Sequence, residues 1–469
     1  MHKIARRDFL KTTGLLTAVA MAPGFLRAAT PAKKPNVLFI AVDDLRPELG
    51  CYGHKWIKSP NIDKLAAAGT VFNRAYCQVA VCGASRASLM TGLRPTPKRF
   101  LTYLTRVDKD APGAMTIPEE FRKNGYQCIS NGKIFHHRDD TEKRSWSVPA
   151  WRPKVGGAVS FDPESKKMKG GKKNRGPWFE GPDVPDKTYG DGRTAIKTIA
   201  DLKRFKASGK PFFLACGFYK PHLPFYAPKK YWDMYDRDKI ALAENRDRPK
   251  NAPKMLKGSG EIHSYHNRNL KYNSDAWHAA GRHGYYACVS YVDAQIGRVL
   301  GALDELGLRE NTIVILWGDH GWHLGEHNFW GKHNVMHLAT NSPMIVSAPG
   351  HKGGQTSERL TEFVDIYPSL CELSGIKPVN KGLQGTSFAP LLKAPDRPWK
   401  KAAFSKFGPA ISLITDRHNY AEFKNGERML YDLKTDPAEN VNIAEEPKNK
   451  ALVASLAKTL HAGYESVKP

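Results

Sequence analysis

Short, unbroken apolar runs separated by stretches of helical periodicity recur along the chain. Unbroken rather than alternating runs suit strands buried on both faces, as in a parallel sheet covered by helices on either side. Four such runs are Val37–Val42 (VLFIAV), Tyr126–Ser130, Pro211–Phe218 (PFFLACGF) and Thr312–Trp317 (TIVILW). Each ends on reactive side chains. The first stops at Asp43 and Asp44, and the second leads through Asn131 and Gly132 to Lys133 and His136. The third leads to Tyr219, Lys220, Pro221 and His222, and the fourth passes Gly318 to Asp319 and His320. Ligands and catalytic groups gather at the carboxyl ends of parallel strands. The pattern therefore predicts an α/β fold in which four strands deliver Asp, His and Lys to one edge. A single Asp after a strand serves equally well as a helix N-cap; four coordinated deliveries are not explained that way.

The rest of the chain sets the boundaries. Glu358–Gly375 reads as a helix closing the sheet domain, and Pro395, Pro398 and nearby charges mark its end. Short strands follow at Ile411–Asp416, Tyr420–Lys424 and Met429–Leu433, with a helix from about Lys448. This predicts a large α/β domain over 30–397, with a central mostly parallel or mixed sheet. A small antiparallel α+β subdomain is expected over 398–469. Residues 1–29 read as an export signal of the twin-arginine type: Arg6 and Arg7 in RRDFLK, an apolar stretch from Leu15 to Ala22, then Ala28 and Ala29. That stretch is shorter than the ~20 residues a membrane span needs. An exported protein, periplasmic or extracellular and without stable membrane insertion, is expected.

Charge narrows the partners. The net charge is +26, and loss of residues 1–29 removes five basic residues and one acid, leaving +22. Such an excess favours polyanions. Outside the cytoplasm a sulfated glycan or an anionic surface fits better than nucleic acid, and no arginine-rich helix or zinc-finger spacing argues otherwise. Segment 164–175 alone carries six basic residues. It reads as a solvated loop, or as a device that captures a polyanionic chain at the mouth of a site. The seven cysteines are odd in number and match neither a zinc spacing nor a disulfide framework, so at least one thiol is left for other chemistry.

Asp43, Asp44, Asp319 and His320 form a candidate metal set. Three carboxylates suit a hard divalent ion such as Ca²⁺ or Mg²⁺, while the imidazole leaves Mn²⁺ or Zn²⁺ open. In the neighbouring DHGWHLGEH stretch, His327 reads as structural and His323 is undecided.

The segment Val81-Cys82-Gly83-Ala84-Ser85-Arg86-Ala87-Ser88-Leu89-Met90-Thr91-Gly92 resembles the sulfatase signature, C-x-P/A-x-R followed by a helix and a Thr-Gly pair. Ala84 stands where the cysteine-type signature usually has proline. VDDLRPELGCYG, NGKIFHH, YKPHLPF, GDHGWHLGEHNFWGKH, NSPMIVSAPG and MLYDLKTDPAENVNIAEEP extend the likeness over nearly all of the chain after residue 29, nearest the iduronate-2-sulfatase branch. The loop after Pro95 differs, so that branch's substrate does not carry over.

The resemblance implies an alkaline-phosphatase/sulfatase-like fold and hydrolysis of sulfate esters of a sulfated carbohydrate. It implies conversion of Cys82 to formylglycine by a maturation enzyme. It also implies one divalent metal, Ca²⁺ first, held by Asp43, Asp44, Asp319 and His320 with Cys82 alongside. One hydroxyl of the aldehyde hydrate would attack sulfur and the other would later expel sulfate, so the intermediate collapses by C–O cleavage. Arg86 would lie beside Cys82 on the first helical turn, at a helix N-terminus able to meet an anion. Lys133 and Lys332 would hold sulfate oxygens, His222 would protonate the leaving alcohol, and His136 would contact or deprotonate the hydrate. His137, adjacent to His136, could be mistaken for it. Two other functions fit the same residues: a phosphodiesterase or phosphonate hydrolase on this platform, and a non-catalytic sulfoglycan-binding protein.

Overall fold

The structure, a computed structural model, describes residues 34–469; the expected export signal at 1–29 lies outside the described residues. Its central sheet has seven strands: β1 Asn36–Val42, β2 Thr70–Phe72, β3 Gln127–Gly132, β4 Phe212–Phe218, β5 Thr312–Gly318, β6 Met344–Ser347 and β7 Gln355–Ser357. Their order across the sheet is β7-β2-β6-β5-β1-β4-β3. The four strands expected from the apolar runs are β1, β3, β4 and β5, and they form a continuous parallel block. β6 pairs antiparallel with β5 and with β2, which makes the sheet mixed. Register matters for the site. Val42 lies opposite both Phe218 and Gly318, and Gly132 opposite Gly217, so the residues that follow these strands emerge at one level.

Alternation along each strand sends side chains to two cores. Val37, Phe39 and Ala41, with Phe213, Ala215, Ile313, Ile315 and Trp317, pack on helix α1, Cys82–Thr91. Leu38, Ile40 and Val42, with Leu214, Cys216, Val314 and Leu316, pack on helices α2, Gly190–Ser208, and α3, Asp275–Glu305. Helices on both faces leave no side of a strand in water, which is why the runs are apolar throughout.

The expected helix over Glu358–Gly375 is shorter than predicted. Thr361–Glu362 is extended, Phe363–Asp365 is a single tight turn, and the α-helix α4 spans Ile366–Leu373. Pro368 is tolerated only in a first turn, where its missing N–H is not needed. Glu362 and Asp365 cap each other's backbone at the start of the tight turn that precedes α4.

After residue 400 an antiparallel sheet runs β8 Ala402–Phe407, β9 Ala410–Thr415, β10 His418–Phe423, β11 Arg428–Asp432, followed by helix α5, Lys450–Ala462. Strand β8 was not foreseen, because Ser405 and Lys406 interrupt its apolar pattern. One face of this sheet takes Val453, Leu456 and Leu460 of α5. The other takes Phe329, Val335 and Met336 from the segment beyond β5. A buried ionic knot ties the two sheets' neighbourhoods together: Glu362 accepts from Arg94 at 2.6 Å twice and from Lys400 at 2.9 Å, and Lys400 also reaches Asp365 at 2.6 Å. Among the described residues no helix is long and apolar enough to cross a membrane.

Candidate active site

The ladder continues one residue past the strands. Asp43 N–H donates to the Phe218 carbonyl and Asp319 N–H to the Val42 carbonyl, each at 3.2 Å. Asp44 then turns with φ 61°, a left-handed conformation that Asp tolerates better than most residues. Its N–H donates to Asp319 Oδ1 at 3.0 Å. The outcome is three buried carboxylates, Asp43, Asp44 and Asp319, whose nearest oxygens lie within 4.8 Å of one another. His320 Nε2 joins them at 3.3 Å from Asp44 Oδ1 and 3.6 Å from Asp319 Oδ1, and stands 3.4 Å from Cys82 Sγ.

Cys82 opens α1, and Ser85 N–H closes the first turn on the Val81 carbonyl at 2.9 Å. Gly83 must be glycine, because a Cβ there would stand 2.4 Å from the Tyr103 carbonyl oxygen of the loop that crosses the helix start. Arg86 is fully buried. Its Nε donates to Asp319 Oδ2 at 2.8 Å, and one terminal nitrogen to Asp43 Oδ1 at 3.2 Å. The other terminal nitrogen donates to the carbonyls of Lys133 at 2.6 Å and Ile134 at 2.9 Å. Such a planar fork fits Arg and not Lys.

The lysines flank the carboxylates. Lys133 Nζ pairs with Asp43 Oδ2. Lys332 Nζ lies 2.9 Å from Asp44 Oδ2 and 2.9 Å from Glu261 Oε2. Burial raises the Asp43 pKa, yet Lys133, His222 and Arg86 overcome it and hold the group well below the usual carboxylate range. Burial wins at Asp44, which is pushed up to about 7 against the pull of Lys332 and His320. With Glu261, four carboxylates share three cations, Arg86, Lys133 and Lys332, which leaves the cluster one positive charge short. A hard divalent cation fits that deficit and that oxygen-rich donor set.

His222 Nδ1 sits 2.6 Å from the Leu223 carbonyl oxygen, so it donates there and leaves Nε2 facing the site. Nε2 is 3.3 Å from Glu261 Oε1 and 3.8 Å from Asp44 Oδ2. Burial, with the charge of Lys133, pushes His136 down to about 2, and its Nδ1 has no partner. The neighbours separate His136 from His137: His136 senses Lys133, Asp43 and Arg86, whereas His137 senses Arg106, Asp140 and Asp139. All the expected site residues thus converge.

His323 and His327 stand apart from the carboxylates. His327 Nε2 meets the Ala438 carbonyl at 2.7 Å, a structural tie, and His323 faces Asn334 at 3.4 Å.

Two contributors were not read from the sequence. Glu261 comes from the long 236–274 connection before α3, which carries no strand-end pattern to mark it. Lys220 was noted only as a strand-end group; its Nζ donates to the His222 carbonyl at 3.0 Å and the Gly157 carbonyl at 2.9 Å, bracing the His222 turn from beneath.

The chain matches known proteins along most of its length. A family model described as Sulfatase matches residues 35–376, and one described as N-sulphoglucosamine sulphohydrolase, C-terminal, matches residues 325–465. Iduronate 2-sulfatase of Homo sapiens is 35% identical over 422 residues, covering 81% of this chain and 74% of the human protein. A sulfatase of Formosa agariphila is 32% identical, covering 91% of this chain and 86% of its own. The phosphonate monoester hydrolase of Silicibacter pomeroyi shares the fold, with a TM-score of 0.75 at 23% identity over 91% of this chain and 94% of that one.

Proposed function

Because the chain belongs to the sulfatase family, and is thereby a sulfuric ester hydrolase, we propose that it desulfates a sulfated carbohydrate using formylglycine made from Cys82 and one divalent ion, Ca²⁺. The observation that carries this reading is the buried Cys82 at a helix start, with His320 Nε2 3.4 Å from its sulfur and the carboxylate cluster beyond. Asp43, Asp44, Asp319 and His320 would hold the ion, with Cys82 alongside. When present, the ion supplies charge neutralisation for sulfate oxygens, and the hydrated aldehyde supplies two hydroxyls on one carbon.

The chain's own residues do the rest. Lys133 and Lys332 orient the sulfate by charge-assisted hydrogen bonds. Arg86 is fully engaged by two carboxylates and two carbonyls, so it holds the metal ligands in place rather than meeting substrate. His222, its Nδ1 anchored, presents Nε2 to the ester oxygen and gives it a proton as the alcohol leaves. His136, kept neutral by burial and by the charge of Lys133, would contact the nucleophile's hydroxyl through its unpartnered Nδ1. The twin arginines at Arg6 and Arg7 support export to the periplasm or outside, where a maturation enzyme would act on Cys82 and a sulfated glycan would be met.

Mass spectrometry of the peptide containing residue 82, from protein made in its native host, tests the first step; an intact cysteine in active enzyme would sink it. Initial rates on an aryl sulfate and an aryl phosphodiester test the second. Faster turnover of the diester would favour a phosphodiesterase or phosphonate hydrolase instead.

A further inference from the structure

We infer that Glu261 filters ligands by charge, so that the site accepts a singly charged ester group and disfavours a doubly charged one such as a phosphate monoester. The inference rests on the proposed sulfate-ester reading for the place where the ester group binds. Asp43, Asp44 and Asp319 are fully buried and face one another. Glu261 is placed differently. Its side chain keeps 21% exposure, and it contacts the two groups assigned to the ester: Oε2 lies 2.9 Å from Lys332 Nζ and Oε1 3.3 Å from His222 Nε2. Burial pushes its carboxyl up, but Lys332 and His222 outweigh that and hold it below the usual carboxylate range, so it stands as a carboxylate. A sulfate oxygen bound to Lys332 Nζ would lie within about 6 Å of Glu261 Oε2.

The loop that carries this carboxylate is locked in place. Glu261 N–H donates to Ser259 Oγ at 3.2 Å, and its carbonyl accepts from Ser264 N–H at 2.9 Å. A Cβ on Gly258 would stand 2.6 Å from the Phe329 ring, and one on Gly331, next to Lys332, 2.7 Å from Ser259 Cβ. Lys332 is fixed in turn, with Nζ 4.8 Å over the Trp322 ring and 2.9 Å from Asp44 Oδ2. A fixed negative charge acts on every charge of the ligand. At about 6 Å in a partly buried site, between the dielectric limits of about 20 and 80, one such repulsion changes affinity about tenfold. A sulfate monoester carries one negative charge and so does a phosphate diester. A phosphate monoester, above its second pKa of about 6, carries close to two. Glu261 therefore weakens binding of the phosphate monoester about tenfold more than binding of either singly charged ester. Whether sulfur or phosphorus lies at the centre plays no part in this discrimination.

The test is Glu261→Gln, which keeps the shape and an acceptor for Lys332 while removing the charge. Binding of phenyl sulfate, methyl phenyl phosphate and phenyl phosphate is titrated by calorimetry in Cys82→Ala protein, with and without Glu261→Gln, in buffer containing Ca²⁺. At about pH 8 phenyl phosphate is a dianion and imidazoles of ordinary pKa are neutral. The substitution raises the affinity for phenyl phosphate relative to phenyl sulfate about tenfold. Methyl phenyl phosphate, a phosphorus ester with one charge, follows the sulfate. One common factor for all three ligands, or no change in any, overturns the inference and leaves Glu261 a role in placing Lys332 and His222. A gain shared by both phosphorus esters also overturns it, since selection would then follow the central atom. So does failure of all three to bind either protein, because the site would then hold no ester anion. The titration needs no turnover, so its outcome is separate from that of the proposed reaction: wild-type enzyme inert on every sulfate ester refutes the reaction, while the three affinities still decide the charge filter.

Discussion

His222→Ala separates acid catalysis from sulfate orientation. In the folded protein the ring donates Nδ1–H to the Leu223 carbonyl at 2.6 Å, and Nε2 faces Glu261 at 3.3 Å. Losing that bond costs about 1 kcal/mol of stability, and Glu261 keeps its 2.9 Å pair with Lys332, so the fold and the lysine stay in place. The catalytic cost is larger. General-acid catalysis contributes about 10²–10⁴-fold, or roughly 2.7–5.4 kcal/mol at 1.36 kcal/mol per decade. A sugar alcohol is a poor leaving group and carries this whole cost, whereas a nitrophenolate leaves without the proton. We therefore expect kcat/KM to fall about 10²–10⁴-fold on a sulfated sugar and only severalfold on 4-nitrophenyl sulfate. Steady-state kinetics on both substrates, with wild type and variant at one pH, provide the assay. Equal losses on the two substrates would refute the acid role and make His222 a sulfate-binding residue.

Other perturbations probe the site and the fold. Cys82→Ala should abolish turnover with an unchanged far-UV spectrum, and residual wild-type activity would exclude residue 82 as nucleophile. Asp319→Asn should lower both activity and Ca²⁺ affinity measured by calorimetry; activity that survives exhaustive chelation would remove the metal from the reaction. Arg86→Leu leaves Asp43 and Asp319 without the guanidinium that now bridges them. Breaking a buried pair in this way costs about 3–5 kcal/mol; a change in urea unfolding free energy below about 1 kcal/mol would contradict the bridging role. Burial pushes His323 and His337 down to about 4, while unfolded imidazoles titrate near 6.5. The unfolded chain thus binds the extra protons, so this part of the stability is complete above pH 6.5 and drains as pH falls toward 4. Urea midpoints should drop over that window, less steeply in His337→Gln, and identical slopes would count against this origin.

Local pattern was sufficient for much of this protein. The four parallel strands and the groups at their ends were legible because a strand buried on both faces must be apolar throughout, and its chemistry must then follow it. Arg86 beside Cys82 followed from helical spacing, and the C-terminal strands β9, β10 and β11 from short apolar runs between turns. Where pattern and packing disagreed, packing decided. Strand β8 contains Ser405 and Lys406 and became a strand through its pairing with β9 and the Lys406 N–H bond to the Gln78 carbonyl at 2.9 Å. The helix near residue 366 begins after a tight turn capped by Glu362 and Asp365 and with Pro368 in its first turn, not where its apolar residues begin. The direction of His136 rather than His137, the entry of Glu261 from a distant loop, and the conversion of Arg86 from a neighbour of the nucleophile to a clamp on its carboxylates all required the tertiary structure. Each depends on electrostatic contacts between residues far apart in the chain. Periodicity registers which face of an element is buried; it carries no information about which charge waits on the other side.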